Sequence, residues 1–205
     1  MAAGFWGKKI GMTQLFVQDR VVPVTAVDVS NWIIFGLKSP ERDGYAAVQI
    51  GRLKDRYAKQ EFSSEWLKKP AQHFSHIREI SMIASVTPEQ IGQPLDARTL
   101  IVIGDKVQIA GKTIGRGFQG VIKRHRFKGP PGSHGSCLGR KPGSSSSYRS
   151  QGRVIKNKRF PGHMGNEMCM MKNLEVVRIE EQHAVVFLKG SVPGKSGSLL
   201  SIAKV

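Results

Sequence analysis

Residues 111–172 read GKTIGRGFQGVIKRHRFKGPPGSHGSCLGRKPGSSSSYRSQGRVIKNKRFPGHMGNEMCMMK, and their composition constrains how the rest of the chain must fold. The stretch holds fourteen Lys and Arg against one acid, Glu167, so it carries thirteen of the chain's net charge of +17. It also holds 12 of the 23 glycines, and large aliphatic side chains are sparse between Phe127 and Pro161. Alone, such a segment cannot bury enough apolar surface to offset the entropy lost on ordering. It takes shape when a polyanion surrounds it. Nucleic acid fits, because phosphates spaced along a strand match cations spaced along an extended chain and the displaced counterions drive binding.

The chain has 205 residues, 40% of them hydrophobic. That is enough for one ordinary core or a small core with appendages, and the basic tract selects the second. A single small acidic ligand needs only a few cations, so the charge fits nucleic acid better than an acidic small-molecule substrate, and no such substrate is expected. Membrane-surface segments pair basic residues with an apolar helical stripe, which the glycines and prolines of the tract interrupt, so no membrane partner is expected. Two cysteines, Cys137 and Cys169, are too few for a disulfide framework and are expected to stay reduced. Lys8 and Lys9 are followed by no apolar run of signal-peptide length, and nothing approaches a membrane span. A soluble, cytoplasmic protein is expected.

Outside the tract the pattern is strand-like. Val21, Val22, Val24, Val27 and Val29, then Trp32 to Phe35, then Tyr45 to Ile50 are separated by Ser39-Pro40 and Asp43-Gly44, which predicts short antiparallel strands. Residues 53–77 change character, with Lys, Glu, Gln and Ala around Phe62, Trp66 and Leu67, and predict a small helical insert interrupted at Pro70. Strand signals return at Ile80 to Val86. They are strongest at Leu100 to Ile103 and Val107 to Ile109, a predicted hairpin through Gly104-Asp105. A second hairpin is predicted for Leu174 to Ile179 and Ala184 to Leu188 around Glu180 to His183. The run Ala184-Val185-Val186-Phe187-Leu188 does not alternate, so this strand is covered on both faces.

Strands before and after the tract therefore belong to one core. Many short strands with no regular helices between them suggest a mainly β fold, a small closed barrel that leaves no open edge. The tract becomes a long irregular excursion anchored in that barrel at both ends. The expected organisation is a body of residues 1–120 and 165–205 with a loop of residues 121–164. Between Lys128 and Phe160 each arm has roughly 16 residues, and at about 3.3 Å per residue the loop extends at most about 50 Å.

Gly115-Arg116-Gly117-Phe118-Gln119-Gly120 matches the dinucleotide fingerprint, but no acid follows until Glu167 and a cationic stretch replaces the expected helix. No kinase catalytic-loop pattern accompanies it either. A glycine-kinked backbone that lets main-chain amides, Arg116, Lys123 and Arg124 approach phosphates fits better; the plain alternative is a strand bend with solvated cations. His134, Cys137, His163 and Cys169 are four potential zinc ligands, yet H-x2-C and H-x5-C across a long gap depart from finger and ribbon spacings, so no metal is expected. His134 and His163 are read as RNA contacts instead. The serine run 144–147 is either a flexible linker or, with Tyr148 and Arg149 beside it and prolines stiffening its flanks, a tip that stacks on unpaired bases. Lys8 and Lys9, between Gly7 and Gly11, are either a second phosphate contact or solvated charge. No G-x-S-x-G turn or carboxylate orienter accompanies the serines and histidines, so no catalysis and no cofactor are expected.

Seven blocks, in order, carry a resemblance to a known family: Gly7-Lys8-Lys9-Ile10-Gly11-Met12-Thr13-Gln14-Leu15-Phe16; Pro23-Val24-Thr25; Asp43-Gly44-Tyr45-Ala46-Ala47-Val48-Gln49; Gly115 to Gly120 with Lys123-Arg124; His134-Gly135; Pro161-Gly162-His163-Met164-Gly165-Asn166; and Val192-Pro193-Gly194. The chain resembles the bacterial-type third protein of the large ribosomal subunit. The resemblance implies a six-stranded barrel of the kind shared with translation factors, a small insert, and a long loop threading 23S-type ribosomal RNA toward the peptidyl transferase centre. It also implies a structural, non-enzymatic role with early, assembly-promoting binding near the 3′ end of that RNA, beside the fourteenth and nineteenth large-subunit proteins. The family's loop has a glutamine near its tip that is methylated in some members. By spacing this chain has Arg149 there and Gln151 two residues later, so the modification is not carried over.

The expected RNA-binding side chains are Lys8, Lys9, Lys112, Arg116, Lys123, Arg124, Arg126, Lys128, His134, Arg140, Lys141, Tyr148, Arg149, Arg153, Lys156, Lys158, Arg159 and His163. Close approach of the backbone to RNA is expected at Gly115, Gly117, Gly120, Gly162 and Gly165. Rival readings are a non-ribosomal architectural protein, which binds generic duplex equally well, and a metal- or nucleotide-dependent enzyme, which holds its cofactor on purification.

Overall fold

A computed structural model describes residues 4–58, 60, 62–81, 90–95, 100–145 and 152–205. Among them are the strands β1 (Gly4–Val17), β2 (Arg20–Asp28), β3 (Trp32–Lys38), β4 (Ala47–Leu53), β5 (Phe74–Ser81), β6 (Lys106–Lys112), β7 (Phe118–Gln119), β8 (Gly162–His163), β9 (Met168–Glu180), β10 (Val185–Lys189) and β11 (Leu199–Lys204). The α-helices are single turns: α1 (Pro40–Asp43), α2 (Glu65–Lys68), α3 (Pro70–His73) and α4 (Val121–His125). The fold is mainly β. It divides into two compact units, one of Met1–Lys112 with Met168–Val205 and one of Thr113–Glu167. Residues 113–120 and 165–167, expected in the body, thus belong to the second unit.

In the first unit six strands form a closed cycle of antiparallel neighbours, in the order β1-β11-β6-β9-β10-β2 with β2 paired back onto β1. Each ring strand therefore has a paired neighbour on both sides over part of its length, while the far end of the β1–β2 hairpin pairs only within itself. The cycle is why segments far apart in sequence, before and after the basic tract, share one core. Phe5, Val107, Ile109, Val176, Val186, Leu188, Leu200 and Ile202 are buried together in it. The predicted Glu180–His183 hairpin is present as β9 and β10, with Val185, Val186 and Leu188 all buried.

A separate three-stranded sheet, β3-β4-β5, lies in the same unit. One of its faces adds Trp32, Ile34, Val48, Ile50 and Ile80 to the main core. The other face buries Ile33, Leu53 and Phe74 against Trp66 of α2, with Phe35, Tyr57 and Phe62 beside them. Arg52 of β4, itself buried, holds Asp28 of β2 at 2.6 Å and so ties sheet to ring.

Two expectations are corrected. Leu100 to Ile103 is not a strand, because the Asp105 carboxylate accepts the Val102 N–H at 2.8 Å and the backbone turns tightly there. Gly104 and Asp105 then bond Val176 across the turn, leaving Val102 and Ile103 exposed and only Ile101 buried. The 53–77 insert is interrupted at Pro70 as expected, but its helical parts are only single turns, a 3-10 turn at Asp55–Tyr57 followed by α2 and α3, and Phe74 onward is already strand. The predicted strand beyond Ser81 falls on residues 82–89, outside the described residues.

Candidate nucleic-acid interface

The second unit begins as a narrow ribbon. Thr113 donates its N–H to the Glu167 carbonyl at 2.9 Å, while its hydroxyl donates to that carbonyl and accepts the Glu167 N–H. Arg116 then donates to Met164 (2.8 Å), Met164 returns a bond to Gly117 (3.0 Å), and the short strands β7 and β8 continue the pairing. The glycines expected to approach RNA serve this ribbon first. A Cβ on Gly165, where φ is +73°, would lie 2.1 Å from the Ile114 carbonyl oxygen, and one on Gly162 would meet the Arg124 guanidinium at 2.7 Å. Gly117 has φ of +65°, while Gly115 and Gly120 lie exposed.

Past the ribbon, α4 turns back. Its Arg124 and His125 both reach the Phe160 carbonyl, at 2.9 and 3.1 Å, so the two arms are clasped at a second level. Arg126 then takes a left-handed φ of 59° and ends the helix. Val121 is the one buried residue among the described residues of this unit. Its small apolar yield matches the composition of the tract, since one valine cannot hold a core.

What the unit displays is charge. Arg116, Lys123, Arg126, Lys128, Arg140, Lys141, Arg153, Lys156, Lys158 and Arg159 are all exposed, Arg124 is half-buried, and His134 and His163 are exposed. Among the described residues none of these Lys and Arg pairs with a carboxylate; the ion pairs lie in the first unit, at Lys38–Asp43, Arg52–Asp28, Lys189–Glu175 and Lys204–Asp105. Unneutralised like charges on an extended backbone repel one another, which is a cost that a polyanion relieves. Tyr148 and Arg149, the expected tip, lie outside the described residues.

In the first unit Lys112 is exposed and Lys8 is half-buried. Lys9 departs from expectation. Its ammonium donates to the Val192 and Gly194 carbonyls, both at 2.9 Å, and burial pushes its pKa down. It pins the Val192-Pro193-Gly194 turn to β1 rather than presenting charge outward. Cys137 and Cys169 are free and exposed, and no cluster of three or more His, Cys, Asp or Glu suited to a metal occurs among the described residues. No described helix is long and apolar enough to cross a membrane.

The profile of the ribosomal protein L3 family matches residues 77–185, which span the whole second unit and run from β5 into β10. Large ribosomal subunit protein uL3 of Geobacter metallireducens is 41% identical over 204 residues, covering 98% of this chain and 96% of the relative. The uL3 proteins of Geotalea daltonii and Pelotomaculum thermopropionicum are 40% and 38% identical over 205 residues, with the same coverage. The chain belongs to the ribosomal protein L3 family. The blocks Gly115 to Gly120 and Pro161 to Asn166, some 40 residues apart in sequence, form the two sides of one ribbon, and Lys123-Arg124 lie on α4 just past it. Sequence reasoning took Thr113 and Glu167 for neither site nor scaffold. The one signal for Glu167 was its isolation as the sole acid of the tract.

Proposed function

We propose that this protein is a structural constituent of the large ribosomal subunit that binds 23S-type ribosomal RNA. The ring of six strands, a barrel of the translation-protein type, docks on the RNA surface. The loop of residues 121–164 inserts between RNA segments and extends toward the peptidyl transferase centre, its Lys and Arg facing phosphates. Binding begins early in subunit assembly, near the 3′ end of the RNA, with the fourteenth and nineteenth large-subunit proteins as neighbours, and the protein resides on cytoplasmic ribosomes.

One observation carries this reading: ten exposed Lys and Arg on a unit with a single buried residue among those described. Such a unit is built to be enclosed by phosphate rather than to enclose a ligand. Family membership supplies the identity of the polyanion. Sedimenting a cell lysate at low and then high salt tests it. The protein is expected with the large subunit in both, because contacts enclosed by RNA exchange slowly. Release into the soluble fraction at low salt, or equal binding to generic duplex DNA in competition, would refute the proposal.

A further inference from the structure

The outer face of the ring carries a feature that the basic tract does not explain. Register places Trp6 opposite Ser201, Ser201 opposite Ala110, and Ala110 opposite Met170, one rung across β1, β11, β6 and β9. Beside this rung lies a groove of about 310 Å3 with an apolar floor of Trp6, Ala110, Leu199 and Met168 and a rim of Arg78 and Lys112. Met168 and Met170 are 68% and 54% exposed, although flexible apolar side chains are usually buried.

We propose that this groove is a second RNA contact, a site for one unpaired base of a single strand whose phosphates lie on Arg78 and Lys112. The proposal rests on the RNA-binding reading above and adds a place and a mode to it. The indole is fixed, since Trp6 Nε1–H donates to the Glu79 carbonyl at 3.3 Å, and the Arg78 guanidinium lies 5.6 Å from its ring centroid. Indole and guanidinium are the planes on which unpaired bases stack. The floor takes a planar apolar group, and a groove of this size suits one base rather than a folded partner.

Charge selects RNA over a protein segment. Among the described residues no acid lines the groove, and the carboxylate of nearby Glu79 is held by Tyr45 and Gln49 at 2.9 and 3.0 Å. The pKa of His76, on the same strand as Arg78, is pushed down first by burial and then by the charges of Arg78, Arg52 and Lys8, so several cations bear on this side of the sheet. Lys112 and Met168 are also the residues from which the chain leaves and re-enters the ring, so RNA bound in the groove meets the strand that leads into the basic extension.

The test uses the full chain with two probes at a salt concentration that screens most of the phosphate term: an unstructured oligoadenylate of about ten nucleotides and an abasic oligomer of equal length. Trp6→Leu is expected to weaken oligoadenylate binding about 5- to 150-fold, the worth of one stacked base, and to leave abasic binding unchanged. Trp6→Phe restores part of the loss, and Met168→Ser lowers affinity for oligoadenylate alone. If Trp6→Leu does not fold, Met168→Ser decides the matter, because that side chain is mostly exposed. Unchanged oligoadenylate affinity, or an equal loss with both oligomers, overturns the base site while the wild type still binds RNA through its cations. Failure of the wild type to bind either oligomer at low salt would instead sink the RNA-binding reading itself.

Discussion

Dependence on salt follows directly from the exposed charge of the Thr113–Glu167 unit. Ten of its Lys and Arg are exposed and unpaired with any described carboxylate, and each that engages a phosphate releases a condensed counterion. With all ten engaged, the log of the association constant should fall against the log of salt with a slope of about −7 for single-stranded and about −9 for duplex contacts. Between about 50 and 200 mM salt this amounts to a loss of about 10^4- to 10^5-fold in affinity. Arg124 does not contribute to this slope, because its guanidinium holds the Phe160 carbonyl. The assay is filter binding of the purified protein to large-subunit rRNA across a salt series. Lys156→Gln with Lys158→Gln should flatten the slope by about 1.4 to 1.8, whatever the RNA sequence. A nearly flat dependence, or a slope indifferent to the double substitution, would refute phosphate neutralisation by the extension.

Gly165→Ala forces a Cβ to within 2.1 Å of the Ile114 carbonyl at a φ of +73°. A left-handed alanine alone costs about 1 to 2 kcal/mol, so the Arg116 and Met164 amides of the ribbon should exchange hydrogen about 5- to 30-fold faster; unchanged protection would contradict the ribbon. Asp105 is held below the usual carboxylate range, first by the Lys204 ammonium and then by the Val102 N–H. A depressed native pKa stabilises the fold above the unfolded value, about pH 4, and that contribution is lost as pH falls through the native value. Asp105→Asn should therefore melt earlier than wild type at neutral pH, with the gap closing in acid; a constant gap would remove the carboxylate from the argument. Replacing Pro131–Phe160 by a short Gly-Ser linker removes no described buried residue, so cooperative unfolding should persist at a similar temperature, and its loss would make the tract part of the core.

Much of the ring was legible because its strands are β-branched and bounded by turn residues. The Ala184 to Leu188 run showed its two-sided burial outright, since nothing in it alternates. β5 was not legible, and the reason is physical. Phe74, Ile77 and Ile80 recur every third residue, a helical spacing, yet the strand pairs Leu53 with Phe74 and Arg52 with His76, so Ser75 bulges and shifts the phase. Phe74 and Ile77 then face Trp66 while Ile80 faces the main core. The Gly104-Asp105 hairpin failed for a different reason, a side-chain bond at Asp105 that competes with the ladder and that composition does not reveal. Within the interface, the density of cations could be counted from the sequence, but their division could not. Lys9 serves the fold through two carbonyls nearly two hundred residues away, and no local pattern marks it. The Trp6 groove was equally hidden, because its floor is assembled from four strands.

An extension enclosed by RNA can be mapped from Cys137, which is exposed within it. With Cys169→Ser leaving one thiol, an iron chelate tethered at Cys137 in assembled large subunits should cleave rRNA strands around the peptidyl transferase centre. Cleavage confined to RNA at the outer surface of the subunit, or none, would contradict the account.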